Sequence, residues 1–309
     1  MQICRNLNEL RAQDESLHLA LGVFDGVHIG HQAVIARAME AAKRDGGLAG
    51  LLTFDPHPIE VMAPAKAPRA LLATLDHKVK FVESLGVDLV VPLHFDLEMA
   101  EMEADDFIAK LMEAPVKTVA VGEDWRFGHA RKGDVDLLRK LSSKYGFQLE
   151  AVAPVMFDGD RISSTRIRQT IHDGNLCEAS KMLGRCYSMC GEVVKGRQLG
   201  GDLGFPTANL VVGRRQCPPH GVWTVKAHIE GNGEWHPGVA NLGTRPTVHG
   251  EDLLLEVHLL DFVGDLYGKE IEVRFELHLR SEIQFDSLGE LKAQIEADVE
   301  EARECLEDD

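Results

Sequence analysis

The 309-residue sequence contains no apolar run that approaches the roughly 20 residues needed for a membrane-spanning helix. Its first residues, MQICRNLNELRAQDES, are polar and charged, which argues against a signal peptide. Basic residues are scarce too: 33 Lys and Arg stand against 50 Asp and Glu, without a cluster of the kind that binds duplex nucleic acid. We therefore expect a cytoplasmic protein that acts on small molecules, with neither nucleic acid nor membrane as a partner.

Cysteine pairs for metal or redox chemistry are also missing. None of the six cysteines forms a CxxC pair, and Cys186 and Cys190 are followed by no second pair or histidine at zinc spacing. Free thiols in a reducing compartment are the expected state. The sequence has no internal repeat, and its 44% hydrophobic content over 309 residues suits two globular domains.

Residues 1–184 alternate between apolar runs and stretches of helical period. LHLALG, GLAGLLTF, VDLVVPLHF, VKTVAVG and FQLEAVAPV are typical of buried strands, with amphipathic helical segments between them. This alternation predicts an α/β domain with a Rossmann-like parallel sheet and helices on both faces. Functional groups are then expected beyond the carboxyl ends of the strands, where GVFDGVHIGH, TFDPHP and VGEDWRFG fall.

Residues 185–309 show a different pattern, and we place the domain boundary at Gly184. YSMCGEVV, GVWTVKAHIE, HPGVANLG, LLLEVHLLDF and KEIEVRFELHLR are short strands separated by turns with Gly and Pro, which predicts an antiparallel barrel. A C-terminal helix follows, with Ser287 and Glu290 as a capping box. Its predicted apolar stripe consists of Leu288, Leu291, Ile295, Val299 and Ala302.

His28 and His31 lie at a strand-to-helix turn, with glycines at positions 22, 26 and 30. A helix N-terminus attracts phosphate, and two imidazoles one turn apart could hold phosphate oxygens. Alternatively, Asp25, His28, His31 and His57 could form a metal site, or the histidines could only fill the turn. The residues favour phosphate and leave all three interpretations open.

A second polar segment, RISSTRIRQT, strengthens the phosphate interpretation. Ser163, Ser164 and Thr165 begin another helix, with Arg166 and Arg168 beside them. Hydroxyls, amides and guanidiniums together suit a di- or triphosphate, and a metallohydrolase would not need them. The alternative is a capped amphipathic helix with solvated arginines.

GVFDGVHIGH, TFDPHP, VGEDWRFG and ISSTRIR, in this order, resemble the adenylyltransferase half of the bacterial bifunctional riboflavin kinase/FMN adenylyltransferase family. GDLGFPTANL, GVWTV, GVANLGTRPTV and LEVHLLDFVGDLYGKEIEV resemble its kinase half. HxGH alone is shared by many nucleotidylyltransferases, whereas PTAN followed by EVHLLDF is much more specific. The resemblance implies an α/β nucleotidylyltransferase domain over residues 1–184 and an antiparallel β-barrel riboflavin kinase domain over residues 185–309. Riboflavin would be converted to FMN and FMN to FAD, with ATP as co-substrate and Mg²⁺ in both steps.

For the first half, the resemblance implies that the FMN phosphate attacks the α-phosphorus of ATP and releases pyrophosphate without a covalent enzyme intermediate. Catalysis would then be positioning and charge stabilisation by His28, His31 and Arg168. The implied ATP-binding residues are Gly22, Phe24, Asp25, Gly30, Ser164, Thr165 and Arg166. The implied flavin side consists of Phe54, Pro56, His57, Pro58, Asp124, Trp125 and Arg126.

For the second half, the resemblance assigns the general base to Glu256, which would activate the riboflavin 5′-hydroxyl. Alternation places Leu254, Glu256 and His258 on one strand face, although a solvent-facing glutamate remains the alternative. Thr207 and Asn209 would hold Mg²⁺ as neutral oxygen donors. The remaining implied contacts are Gly196, Gly204, Pro206 and Trp223 for ATP, and Asn241 and Arg280 for flavin.

Two positions depart from the family pattern. Gly201 stands where relatives usually have an arginine, which Arg197 could replace, and Trp223 stands where tyrosine is common. An alternative function is therefore a monofunctional FMN adenylyltransferase with a kinase-impaired, flavin-binding barrel. A flavin storage protein would need neither the HxGH motif nor Glu256. The sequence does not determine the oligomeric state.

Overall fold

The computed structural model describes residues 1–66, 70–196, 199–231, 233–247 and 250–307. The chain divides into two compact units, which are Met1–Ser164 and Thr165–Asp309. Arg197, the predicted substitute for the missing arginine, lies outside the described residues.

A parallel sheet of six strands forms the centre of the first unit. The strands are β1 (Gln2–Ile3), β2 (Leu17–Leu21), β3 (Leu48–Asp55), β4 (Leu89–His94), β5 (Val116–Gly122) and β6 (Gln148–Val152). They lie in the order β1-β4-β3-β2-β5-β6. All five predicted strands are present, and β1 is an additional edge strand whose two residues are too few to show a period.

Helices cover both faces of this sheet. They are α1 (Leu7–Arg11), α2 (Ile29–Asp45), α3 (Pro58–Met62), α4 (Leu75–Ser84), α5 (Leu97–Glu101), α6 (Ala104–Leu111) and α7 (Val135–Tyr145). Short 3-10 turns span Pro64–Lys66 and His129–Arg131, and β7 (Met156–Phe157) pairs with β8 (Asp160–Arg161) in a hairpin. Apolar residues of α2 and α4 pack on one sheet face, and those of α6 and α7 pack on the other. This is the predicted α/β architecture.

The second unit is built on a closed antiparallel barrel. Its strands are β9 (Ser188–Val194), β10 (Ala208–Val211), β11 (Gly221–Ile229), β12 (Trp235–Thr247), β13 (Gly250–Leu259) and β14 (Glu270–Arg280). Pairing in the order β10-β13-β12-β11-β14-β9, with β9 against β10, closes the barrel and confirms the predicted class. Prediction missed β10, because three of its four residues are buried and no alternation shows.

The helices of the second unit are α8 (Ser164–His172), α9 (Leu176–Leu183), α10 (Leu199–Leu203) and α11 (Leu288–Glu307). The last is the predicted C-terminal helix, which packs through Val299 and Ala302 on Val222 and Val239 of the barrel. Ser287 Oγ accepts from the Glu290 amide at 3.2 Å, as a capping box requires, whereas the Glu290 carboxylate accepts from the Asp286 amide.

The division into units falls before the predicted boundary at Gly184, because α8 and α9 contact the second unit. At Gly174, between these helices, a Cβ atom would lie 3.2 Å from Pro219 Cγ. The position at which an independently folding kinase domain begins stays a prediction. All six cysteines are free thiols. Among the described helices, none is long and apolar enough to cross a membrane.

Candidate active sites

The turn after β2 has an unusual backbone. Phe24 and Val27 have φ values of 51° and 41°, and Gly26 between them has 81°. Such values cost a non-glycine residue about 1–3 kcal/mol and persist where the surroundings hold them. Glycine is also required at position 26 by space, because a Cβ atom there would lie 2.7 Å from the Leu72 side chain. The chain then enters α2 at its buried end.

His28 is the N-cap of α2. Its Nδ1 accepts from the His31 amide at 3.3 Å, so the neutral ring carries its proton on Nε2. The two imidazole rings stack with centroids 3.5 Å apart and planes 16° from parallel. Gly30 lies against this pair, since a Cβ atom there would approach the His28 ring to 3.2 Å.

His31 is held in its neutral form. Burial lowers the pKa of its imidazole well below the usual value, and electrostatic interactions with His28, Lys78 and Arg161 lower it further. Within the described residues, the buried Nδ1 atom of His31 has no hydrogen-bond partner. A buried imidazole nitrogen without a protein partner beside a helix N-terminus suits contact with an anionic ligand.

Asp25 joins the turn to two neighbouring segments. Its carboxylate accepts from the amides of Leu72 and Ala73 at 3.0 and 3.4 Å, and its carbonyl accepts from Ser164 Oγ at 3.0 Å. The GVFDG and ISST motifs therefore meet in the fold. Among the described residues, Asp25, His28, His31 and His57 do not form a metal-ligand group, which leaves the metal interpretation without support.

The first residue of α8 is Ser164, and the same helix carries Thr165, Arg166 and Arg168. Arg166 is partly buried, and its guanidinium forms an ion pair with Glu178 of α9 at 3.2 Å. The roles predicted for these four residues stay predictions.

On the predicted flavin side, aromatic rings connect two of the motifs. The ring centroid of Phe54 in TFDPHP lies 6.4 Å from that of Phe107. The Phe107 centroid lies 6.2 Å from that of Phe127 in VGEDWRFG. Trp125 stacks on Phe127 with centroids 4.4 Å apart. The rings are only partly buried at Phe54 and Trp125, where a planar ligand could stack.

The polar residues predicted for the flavin side have protein partners. His57 caps α3 by accepting from the Ile59 amide at 3.3 Å, directly before Pro58. Asp124 forms an ion pair with Arg161, and Arg126 forms one with Asp134 at 2.9 Å. Both pairs are substantially exposed, so flavin binding could replace them at small cost.

In the second unit, three predicted residues lie in one row across the barrel. Glu256 on β13 is directly opposed to Asn209 on β10 and to Asn241 on β12. Opposed residues of an antiparallel pair leave the sheet on the same side. The other face of β13 is buried in the barrel, with Leu255 and Val257 fully enclosed. The predicted alternation is confirmed, and Glu256 is partly exposed between two amides.

Asn209 provides the test of whether these residues suit a divalent cation. Its side chain is 3% exposed, its Nδ2 donates to Thr207 O at 3.2 Å, and its buried Oδ1 has no partner in the described chain. A Cβ atom at Gly196 would lie only 2.6 Å from that amide, so the glycine leaves room above it. An orphaned oxygen near a carboxylate and a hydroxyl fits Mg²⁺.

The remaining predicted contacts differ in their surroundings. Pro206 O accepts from His258 Nδ1 at 2.9 Å, which ties the PTAN segment to β13, and Gly204 has a φ of 97°. Trp223 is 2% exposed and its Nε1 donates to Pro219 O, so burial does not favour the predicted contact with ATP. Phe24, also 2% exposed, is packed in the core in the same way.

Arg280 has a structural partner that the sequence did not reveal. Its guanidinium forms a bidentate pair with Asp298 of α11 at 2.8 and 2.7 Å, and Gln294 donates to the same carboxylate at 2.9 Å. Asp298 was not a candidate, because a single acid in an acidic helix gives no signal. Lys78 and Thr53, which contact the turn before α2, were also not candidates, because a single lysine or threonine gives no signal in the sequence.

Together the two arrangements fit the two-domain, ATP-using transferase that the sequence predicts. A family model described as FAD synthetase matches residues 10–166, and one described as riboflavin kinase matches residues 183–306. The bifunctional riboflavin kinase/FMN adenylyltransferase of Escherichia coli strain K12 is 42% identical over 308 residues, 98% of this chain and 97% of that protein. The protein of the same name from Haemophilus influenzae is 39% identical over 305 residues, 98% of each chain. The chain belongs to the bifunctional riboflavin kinase/FMN adenylyltransferase family.

A solved structure supports the same fold over both units. A Streptococcus pneumoniae crystal structure titled as a macrolide-efflux protein matches with a TM-score of 0.83 and 31% identity. The match covers 97% of this chain and 98% of that chain.

Proposed function

We propose an assignment of residues to two consecutive steps of flavin cofactor synthesis. The chain phosphorylates riboflavin to FMN with ATP, and it adenylylates FMN to FAD with release of pyrophosphate. Matches of both family models on one chain, at about 40% identity to bifunctional relatives along its whole length, carry this conclusion. The monofunctional alternative is not favoured.

For adenylyl transfer, the ATP phosphates bind at the turn before α2. His28 presents Nε2–H while its Nδ1 caps the helix, and the neutral His31 lies stacked beside it. A preorganised donor of this kind is worth about 10²–10³ in rate when charge develops on phosphate oxygens. Ser164, Thr165, Arg166 and Arg168 hold the leaving pyrophosphate by resemblance to the family. The ring of FMN lies along Phe54 and Trp125.

For phosphorylation, Glu256 removes the proton from the riboflavin 5′-hydroxyl as it attacks the γ-phosphorus of ATP. The row formed by Asn209, Glu256 and Asn241 supports this role, because it holds the carboxylate between two neutral amides. The oxygens of Asn209 and Thr207 would hold Mg²⁺, which when bound would neutralise charge on the phosphate oxygens. Gly196 and Gly204, on either side of α10, would allow the backbone there to approach the phosphates.

Chromatographic separation of the flavins tests the whole assignment. Incubation with riboflavin, ATP and Mg²⁺ should yield FMN first and FAD later. FAD formed only from supplied FMN would instead indicate the monofunctional alternative, and no turnover would indicate storage. We place the protein in the cytoplasm, a reducing compartment in which six free thiols are stable.

A further inference from the structure

Lys78 is a buried cation that the two reactions above do not use. It lies on the first turn of α4 and is 6% exposed. Its Nζ donates to Val23 O at 2.8 Å and to Thr53 Oγ1 at 3.1 Å, and the Thr53 hydroxyl donates to Val23 O at 2.8 Å. One ammonium thus connects helix α4, strand β3 and the turn that leads to His28.

Burying this ammonium is unfavourable in itself. Burial lowers the pKa of Lys78 to about 8, although the carboxylates of Asp25 and Asp55 act to raise it. Val23 O would keep a donor without it, because the Thr53 hydroxyl also bonds that oxygen. Packing and hydrogen-bond satisfaction therefore do not explain why a lysine stands at this position. An unfavourable buried charge is usually retained where function needs it.

The turn above Lys78 needs an external support. Phe24 and Val27 have left-handed φ values that are unfavourable for side chains of their kind. The Asp25 carboxylate accepts from the amides of Leu72 and Ala73, and Lys78 donates to Val23 O two residues earlier. These two anchors hold the path of the turn that leads into α2.

We propose that Lys78 is a positioning residue for adenylyl transfer, whose charge-assisted bond to Val23 holds the strained 22–27 turn so that His28 and His31 meet the ATP phosphates. The proposal rests on the proposed phosphate-binding function of that turn. Displacement of about 1 Å in a catalytic group can cost about 10² in rate. Lys78 would act through the histidines, since its Nζ bonds protein oxygens beneath them.

Lys78→Met in the full-length chain tests this role, because methionine fills the buried volume without the charge. The kcat for FAD formation from supplied FMN should fall by about 10²-fold. The rate of riboflavin phosphorylation should stay at the parental value, and the temperature at the midpoint of thermal unfolding should stay at or above the parental value. Lys80→Met, on the exposed part of the same helix, is the matched control. Parental FAD formation in Lys78→Met would overturn the proposal. A slower reaction accompanied by a lower thermal midpoint would also overturn it, as a purely structural role would then suffice.

The pH profile of the parent gives a second test that needs no variant. Asp25 in the turn, Asp55 at the end of β3 and His31 on α2 are ionisable groups that interact electrostatically with Lys78. As pH rises through about 8, the ammonium loses its proton and its charge-assisted bond weakens. Adenylyl transfer should fall over that range, and the fall should be absent from Lys78→Met. A fall retained in the variant, or a parental profile flat across that range, would contradict the proposal. A parent that forms no FAD at any pH would instead refute the function of the turn.

Discussion

Asn209 on β10 and Glu256 on β13 face one another across a single antiparallel pair, so their side chains leave the barrel on the same side. The amide oxygen of Asn209 is buried and unpartnered in the described chain, whereas Glu256 is partly exposed. This combination suits the two roles that we propose within one row of the barrel, a cation ligand at Asn209 and a proton acceptor at Glu256.

Replacing Glu256 by glutamine should remove proton acceptance and preserve the side-chain shape. We expect single-turnover FMN formation at saturating ATP to fall by about 10²–10⁴-fold, the usual contribution of a general base. FAD formation from supplied FMN should remain unchanged. Glu192→Gln, at an exposed position of β9, is the matched control. An unchanged kinase rate would exclude Glu256 from the mechanism.

Changes at His28 can separate capping from catalysis. Asparagine is a good N-cap, so His28→Asn should keep helix stability near the parental value, whereas His28→Ala should also lose about 1 kcal/mol of it. Both variants and His31→Ala should form FAD about 10²–10³-fold more slowly, measured by chromatography with supplied FMN. Kinase activity in the same chain serves as the control. Parental FAD formation in His31→Ala would refute the phosphate assignment.

Gly201→Arg introduces the residue that the family resemblance leads us to expect at this position. Gly201 is exposed, and a Cβ atom there would meet no heavy atom within 4 Å. A new guanidinium on α10 should lower the KM for ATP in the kinase step severalfold, since arginine pairs well with phosphate. Gly201→Ala is the matched control, because it adds a side chain without a charge. Gly213→Arg is unsuitable as a control, because the φ of 62° at Gly213 would strain an arginine. An unchanged KM would mean that the loop does not need the arginine here.

The Arg280–Asp298 pair should stabilise the second unit. Asp298 has 4% side-chain exposure and Arg280 has 19%, so Asp298→Asn leaves a largely buried guanidinium with a weaker partner. Loss of one partner from a buried pair costs about 3–5 kcal/mol, and we expect about 2–3 here because Arg280 is partly exposed. Chemical denaturation measures it. Because Asp298 orients the residue predicted to contact flavin, the KM for riboflavin should also rise. An unchanged KM would remove Arg280 from the flavin-binding set.

The kinase domain predicted over residues 185–309 can be compared with a longer fragment that begins at residue 165. We expect both to phosphorylate riboflavin, because the barrel and α11 are complete in each. The longer fragment should be the more stable one, since it keeps the packing of α8 and α9 with the rest of the second unit. Thermal unfolding and FMN formation measure the two properties. An aggregated shorter fragment would place the boundary before α8.

The order of the elements, both architectures and the alternation around Glu256 could be predicted without the fold. These depend on periods of two and of 3.6 residues, which neighbouring residues carry without any knowledge of the fold. The missed strands, β1, β7, β8 and β10, have two to four residues each, too few for such a period to show.

Which side chains meet became clear only from the folded protein. Four arrangements show this. They are the stacking of His28 on His31, the row from Asn209 to Asn241, the ion pair of Arg280 with Asp298, and the hydrogen bond from Lys78 to Val23 O. Trp223 and Phe24, predicted to contact ATP, are instead packed at 2% exposure. Side-chain partners depend on the distances between segments that are far apart in the chain. A local sequence pattern carries no information about those distances. Burial acts in the same way, because a lone lysine or aspartate becomes significant only when the fold removes it from water.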